Sequence, residues 1–257
     1  GCTLCDTKNH TDFLFDPSSI DAVILTHGHL DHVGRLPKLF KQGFSGKVYA
    51  TPPTTDIAKI VMEDAVHIMA EDQKRYQTPV LYGAQDVSNA IRAFTPVEYS
   101  QTLNIGDLSF RFRDAGHSFG SAFAEITERG GAKVAFSGDL GNEHVPILRE
   151  KAQLSDMDAL VIESTYGNRI HEDESTRQGK LQEVIKRTMQ RNGVVLIPAF
   201  AIERTQQLLF ELNRLVQNAH LPSIDVYLDS PMAIKVTDVI KRYPQYYDAE
   251  AKKLVAD

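Results

Sequence analysis

The chain has 257 residues, of which 42% are hydrophobic and 24% are charged, and its formal net charge at pH 7 is −6. This composition is typical of a globular protein; it excludes a disordered tail, a fibre and a surface coated with basic residues for unspecific nucleic-acid binding. No stretch comes near the roughly 18 consecutive apolar residues of a membrane span, and no export signal is visible, so the sequence predicts no membrane partner. Its two cysteines do not make a disulfide framework, and a reducing cytoplasm is the predicted location.

Short apolar strands alternate with an amphipathic helix in the first part of the chain. A helix is predicted at 56–69, where apolar residues recur at helical spacing, and Gly130-Gly131 indicates a hairpin. The predicted strands of this part are 22–25, 108–113, 122–126, 134–136 and 159–162.

After Gly167 the pattern changes to helices near 176–191 and 203–216 that alternate with strands at 194–197 and 226–228. This β-α-β-α order is typical of a parallel α/β segment, and a domain boundary is therefore predicted near residue 168. Ser230 is the expected N-cap of a helix that begins at Pro231. The residues 249–257 read as a helix that the chain end interrupts.

Four side chains that can bind metal lie within six residues, directly after the first predicted strand. They are His27, His29, Asp31 and His32. Imidazole and carboxylate groups are ligands for zinc and similar divalent ions, and a turn at a strand end can direct them to one point. The spacing therefore favours a metal site over a polar loop.

Two further candidates have the same context. His117 follows the strand at 108–113, and Asp139 follows the strand at 134–136. Ligands at the ends of successive strands meet at one edge of a sheet, where sites commonly lie. Together with the first cluster, both residues are predicted to belong to one metal centre.

These motifs resemble the metallo-β-lactamase fold. The segments 162–167, 198–205 and 228–233 are also similar to the β-CASP branch of that fold, which includes RNase J-type ribonucleases and the endonuclease subunit of the cleavage and polyadenylation machinery. The resemblance implies an α/β protein. A metallo-β-lactamase αββα sandwich that lacks its N-terminal strands would occupy 1–168, and a truncated β-CASP domain would occupy 169–257.

The resemblance implies a centre with two zinc ions, with manganese as the alternative metal. Its ligands would be His27, His29 and His117 for the first ion, Asp31 and His32 for the second, and Asp139 as the bridge between them.

Asp31, Asp139 and Glu163 are the catalytic residues that the resemblance implies. A two-metal-bound hydroxide would attack a phosphodiester of single-stranded RNA, and Glu163 would orient a catalytic histidine from a later part of the chain. That histidine, a second downstream histidine and an Asp that precedes the first motif in the family have no match here. A fragment lacking both ends is therefore expected, with the activity in its parent.

Arg204 and Ser230 are the candidate substrate-binding residues, because both lie at predicted strand-to-helix turns that suit RNA phosphates. An equally good interpretation is that Ser230 only caps its helix and Arg204 lies on a solvated face.

Two other functions remain open at this stage. A hydrolase of small esters, thioesters or lactones would use the same ligands, and a non-catalytic scaffold subunit would bind no stoichiometric zinc. Exonuclease and endonuclease action are not distinguished, and a homodimer is one oligomeric state that the sequence leaves open.

Overall fold

The structure is a computed structural model that describes residues 8–169, 177–218 and 220–256. The strands are β1 (Ala22–Ile24), β2 (Lys47–Ala50), β3 (Phe94–Pro96), β4 (Thr102–Ile105), β5 (Leu108–Asp114), β6 (Ala122–Glu128), β7 (Lys133–Phe136) and β8 (Ala159–Val161). The helices are α1 (Leu30–Val33), α2 (Leu36–Lys41), α3 (Pro52–Tyr76), α4 (Ala84–Ala93), α5 (Arg177–Met189), α6 (Arg204–Gln217), α7 (Pro231–Lys241) and α8 (Ala249–Ala256). Short 3-10 helices lie at Pro17–Ser19 and Pro244–Tyr246. Among the described helices, none has the length together with the hydropathy that a bilayer span needs.

The strands form two sheets. The strands β1, β2 and β3 are parallel neighbours in a three-stranded sheet. The strands β4 to β8 form a five-stranded sheet in sequence order, antiparallel as far as β7 and parallel between β7 and β8. The predicted hairpin around Gly130-Gly131 is confirmed, because β6 pairs with β7 from Thr127 opposite Lys133.

The two sheets pack face to face, and helices cover the opposite side of the smaller one. Phe110 and Phe112 on β5 are buried, and Ile24 of β1 and Tyr49 of β2 pack against them. A second cluster joins the strands to helices α2, α3 and α4. The mixed α/β fold class predicted from the sequence is confirmed.

Helix α3 is longer than the predicted 56–69. Thr51 caps its N-terminus by accepting a hydrogen bond from the Thr54 amide, and Pro52 and Pro53 occupy the first turn, where a missing N–H costs nothing. Its C-terminal cap, Gln77, is in the left-handed conformation, with φ of 56°. The polar last turns of α3 lack the apolar periodicity from which a helix is recognised.

The helices of the second part agree with the sequence, but its strands do not. The segments 194–197 and 226–228, predicted as strands of a parallel sheet, form no strand in the described part of the chain. Val194 and Leu196 are each 91% exposed, whereas Val195 packs against the cluster of Ile185 and Leu215. The side chains at 194–196 therefore alternate as in a strand, but among the described residues no neighbouring strand accepts the backbone hydrogen bonds.

One hydrophobic core lies on both sides of the predicted boundary at residue 168. Val236 and Val239 of α7 belong to the same buried cluster as Val61 and Met62 of α3. Helix α7 thus rests on α3, and the segments that follow the boundary are held against the metal-ligand half of the chain. The boundary itself stays a prediction.

Candidate metal centre

The first ligand cluster lies in the loop that joins β1 to α1. The Leu25 amide still donates to the Tyr49 carbonyl at 2.8 Å, after which the chain leaves the sheet. His29 is the N-cap residue of α1, and Asp31 and His32 lie within that short helix. Gly28 lets the loop pass close to α3, since a Cβ there would lie 2.8 Å from Cγ2 of Ile57.

The loop that carries His117 is fixed by buried hydrogen bonds. The Gly120 carbonyl accepts from the hydroxyls of Thr51 and Thr54, at 2.6 and 2.9 Å, at the start of α3. The Ser121 hydroxyl oxygen accepts from the His117 amide at 3.1 Å. These bonds hold the loop and the imidazole that it carries against the helix layer.

The third loop places Asp139 after β7. Gly138 has φ of +54°, and a Cβ there would lie 2.7 Å from Cβ of Thr26. The carboxylate of Glu163 accepts from the Leu140 amide at 2.9 Å, and the Glu163 amide donates to the Ser137 hydroxyl at 3.0 Å. Glu163 therefore clamps both sides of the Asp139 turn. The Leu140 hydrogen bond is also the main cause that lowers the pKa of the Glu163 carboxyl below its ordinary value.

Four potential ligands converge in a first group: His27, His29, His117 and Asp139. Nε2 of His117 lies 3.1 Å from Nδ1 of His29 and 3.5 Å from Oδ2 of Asp139. Nε2 of His27 lies 3.7 Å from the same carboxylate oxygen. All ligand atoms of the group lie within 4.8 Å of one another, so a single ion placed among them could bind to all four.

A second group shares Asp139 and adds Asp31 and His32. Nε2 of His32 lies 3.3 Å from Oδ1 of Asp139 and 3.6 Å from Oδ2 of Asp31. The two oxygens of Asp139 thus face different groups, which is the geometry of a bridging carboxylate. All six predicted ligands are brought together.

The residues fit divalent metal ions. Nε2 of His27 is buried and has no hydrogen-bond partner within the described part of the chain, a costly state unless an ion takes its lone pair. Burial, reinforced by the neighbouring imidazoles, lowers the pKa of His27 to about 2 and that of His29 to about 4. Both rings are therefore neutral at pH 7, the form that binds metal.

The two predicted substrate-binding residues differ in position and in what their side chains do. Arg204 is exposed at the start of α6 and lines a cleft that opens beside the metal ligands. The hydroxyl of Ser230 accepts from the Ala233 amide at 3.2 Å as the N-cap of α7. The expected cap is confirmed, and the role of both residues toward RNA stays a prediction.

The residues that line this cleft were not identified as such from the sequence. The cleft has a volume of about 510 Å³ and extends from His29 and Asp31 to Phe200 and Glu203. Glu203 lies in one of the segments that carry the β-CASP resemblance, but nothing in its spacing shows that it faces the ligands. That position depends on how the segment before α6 lies across the cleft from α3, which is a tertiary arrangement.

Comparison with protein families shows to which family the chain belongs. A family model of the metallo-beta-lactamase superfamily domain matches residues 6–160, which is more than half of the chain, and a model of the Beta-Casp domain matches 205–257. The chain belongs to the metallo-β-lactamase superfamily, in its β-CASP branch. That superfamily implies binding of divalent metal, and the two ligand groups described above could hold such ions.

Curated relatives of this β-CASP protein come from all three domains of life. Ribonuclease TTHA0252 of Thermus thermophilus is 40% identical over 96% of this chain and 55% of its own length. Transcription termination factor FttA of Methanosarcina mazei is 31% identical over 99% of this chain and 41% of its own. Cleavage and polyadenylation specificity factor subunit 3-I of Arabidopsis thaliana is 34% identical over 92% of this chain and 33% of its own. The chain thus spans about half the length, or less, of these relatives.

Proposed function

We propose that this chain is the metal-ligand half of a zinc-dependent ribonuclease that hydrolyses phosphodiester bonds of single-stranded RNA. The observation that supports this most is the Asp139 carboxylate, whose two oxygens face separate groups of metal ligands beside an open cleft. The RNA would enter between the metallo-β-lactamase domain, 1–168, and the β-CASP domain, 169–257. A reducing cytoplasm is the location proposed with it.

The side chains divide the chemistry among them. Two divalent cations, zinc or manganese, would supply a water of lowered pKa and neutralise the charge that develops on the phosphate. The first ion would be held by His27, His29 and His117. The second ion would be held by Asp31 and His32, and Asp139 would bind both ions. Glu163 keeps Asp139 in place through the Leu140 amide. Orientation by Glu163 of a histidine outside this chain remains part of the proposal.

RNA is favoured as substrate by the second half of the chain. A hydrolase of small esters would not need the Beta-Casp domain, which is matched at 205–257. The relatives aligned over this segment carry names of RNA cleavage or transcription termination. The six intact ligands argue against a scaffold subunit without metal. Arg204, exposed at the cleft, is available to a phosphate.

The test is cleavage of a 5′-labelled single-stranded RNA by the full-length protein, compared with Asp31→Asn. We expect the variant to lose zinc and to lose cleavage, because Asp31 supplies a ligand carboxylate. Asp107→Asn is the control, since Asp107 is 75% exposed against 78% for Asp31 but lies in the β4–β5 turn. The fragment pattern separates exonuclease from endonuclease action.

Intact RNA together with about two bound zinc ions per chain would contradict the RNA assignment and favour the small-ester hydrolase. Unchanged zinc stoichiometry and unchanged cleavage in Asp31→Asn would contradict the role of Asp31 as a ligand. Loss of zinc in Asp107→Asn would show that the measurement reports on folding instead.

A further inference from the structure

Glu203 has a rare backbone conformation at the wall of the cleft. Its φ of 69° and ψ of −66° are those of a classic γ-turn, and the Arg204 amide closes the turn by donating to the Ile202 carbonyl at 2.9 Å. This conformation is strained for a residue with a side chain and persists where the surroundings impose it. Such strain at a cleft beside a metal centre indicates that the position of Glu203 serves a function.

The carboxylate of Glu203 is held at one oxygen and available at the other. Nε2 of Gln207 donates to Oε1 at 2.7 Å, one turn along α6. Oε2 has no hydrogen bond within the described part of the chain. A fixed carboxylate with one open oxygen is a directed acceptor for N–H donors.

The rest of the wall is mostly apolar and exposed. Phe200 is 86% exposed, and Leu30 and Ile68 across the cleft are each 53% exposed. A large apolar concavity that a folded chain leaves open usually marks a binding site. The cleft shares His29 and Asp31 with the metal centre, so its occupant lies next to the scissile bond.

The charges in the cleft decide which part of an RNA fits there. Besides the metal ligand Asp31, the carboxylates of Asp64 and Glu203 line it, with Arg204 as the basic group beside them. Carboxylates repel a phosphate, whereas an apolar wall with an aromatic ring accepts the face of a base. The inner cleft therefore suits a nucleobase, and the phosphate remains with Arg204 and the metal ligands.

We propose that the cleft binds one nucleobase next to the scissile phosphate, stacked on Phe200, with its amino edge donating to Oε2 of Glu203; this rests on the proposed ribonuclease function. Adenine, cytosine and guanine each offer an exocyclic amino group to an acceptor. Uracil has carbonyl oxygens on both sides of its single N–H group, and these oxygens would be repelled by a carboxylate. The structure thus assigns a preference against uracil at one position of the substrate.

The test uses the full-length, zinc-loaded protein with single-stranded RNAs that differ only in the nucleotide on either side of the cleaved bond. We expect Phe200→Ala to lower kcat/KM by about 5- to 100-fold, the loss typical for one stacked base, and Phe200→Tyr to restore it. Tyr76→Ala, which removes a 71% exposed ring from the end of α3, is the control and should stay within about twofold. Zinc content should be unchanged in all three variants.

Glu203→Gln provides the readout that a structural role would not change. The wild type should cleave next to adenine or cytosine about 5-fold or more faster than next to uracil. The variant should bring this ratio toward one, because its side-chain amide can also donate to a carbonyl oxygen of uracil. RNA cleavage without nucleotide preference, or with equal rates in Phe200→Ala and Tyr76→Ala, would overturn this inference alone and point to another segment of the full-length chain in the cleft. No cleavage of any RNA would overturn the proposed function and this inference together.

Discussion

Single residues without large side chains decide how closely the ligand loops approach each other. A Cβ on Gly28 would meet Ile57 of α3, and a Cβ on Gly138 would meet Thr26. Both glycines lie next to a metal ligand, so a shift that relieves either contact moves His27, His29 or Asp139. The sequence shows these glycines within the motifs, but only the packing shows what each of them avoids.

Gly28→Ala should destabilise the protein by about 1–3 kcal/mol, because the added methyl overpacks a site with 2.8 Å of room. The zinc content should fall with it. Gly179→Ala is the control: its Cβ would point into open space on α5, so the helix should gain roughly 0.5–1 kcal/mol. Thermal unfolding together with zinc analysis distinguishes the two. Equal stability in both variants would show that the loop relaxes without cost.

Asp114 provides a pH prediction. Burial raises its pKa from 3.8 to about 6, so the folded chain holds a proton that the unfolded chain releases between these values, and its contribution to stability falls as the pH rises. Asp114→Asn removes this dependence while Oδ1 still accepts from the Gly116 amide. The wild type should therefore lose about 1 kcal/mol more of its free energy of unfolding than the variant does between pH 5 and pH 8. A constant difference in denaturant titrations at the two pH values would contradict it.

At the scale of elements, the helices of the second part were recognised, whereas α2 and α4 were not predicted, and the predicted strands formed only where neighbours exist. Helices α6 and α7 begin within one residue of their predicted starts, because periodicity and the Ser230 cap are local signals. The segments 194–197 and 226–228 have the apolar runs of strands but lack hydrogen-bonded partners in the described chain. A strand is completed by another segment, which a local pattern does not contain.

Ser230→Ala tests whether Ser230 acts as a cap or as a substrate ligand. Loss of the hydrogen bond to the Ala233 amide should lower stability by about 1 kcal/mol. If capping is its whole role, kcat/KM for RNA should be unchanged once the protein is folded. Ser230→Asp is the matched variant, since it restores the cap but adds a charge that repels phosphate. A loss of activity in Ser230→Ala without a loss of stability would favour the substrate role.

At the scale of the whole molecule, the metal-ligand half and the helices after residue 203 form one packed body. The Tyr243 hydroxyl donates to Oδ2 of Asp56 on α3 at 2.7 Å, and the Arg242 guanidinium lies 3.4 Å from the same oxygen. Buried residues of α6 and α7 complete the core that α3 begins. The cleft therefore has walls held by a shared core and not by a flexible linker.

Tyr243→Phe should lower the free energy of unfolding by roughly 0.5–1.5 kcal/mol, because Asp56 loses a donor between the two parts. Zinc content should be unchanged, since Tyr243 is not among the ligand groups. Tyr76→Phe, a hydroxyl removed from an exposed ring, is the control for the measurement. Differential scanning calorimetry should show one transition that shifts as a unit; two separate transitions would contradict a shared core.

The sequence by itself determined the chemistry of the site: six candidate ligands, four imidazoles and two carboxylates, at the ends of predicted strands, and thereby the superfamily. Side-chain identity and strand-end position are local properties, and the spacing of His27 to His32 carries them without any tertiary contact. The tertiary structure alone decided that Asp139 faces both ligand groups and which residues line the cleft beside them. Both depend on segments more than 60 residues apart packing together, such as β7 with the β1 loop or α7 with α3, and no periodicity along the chain encodes such a contact.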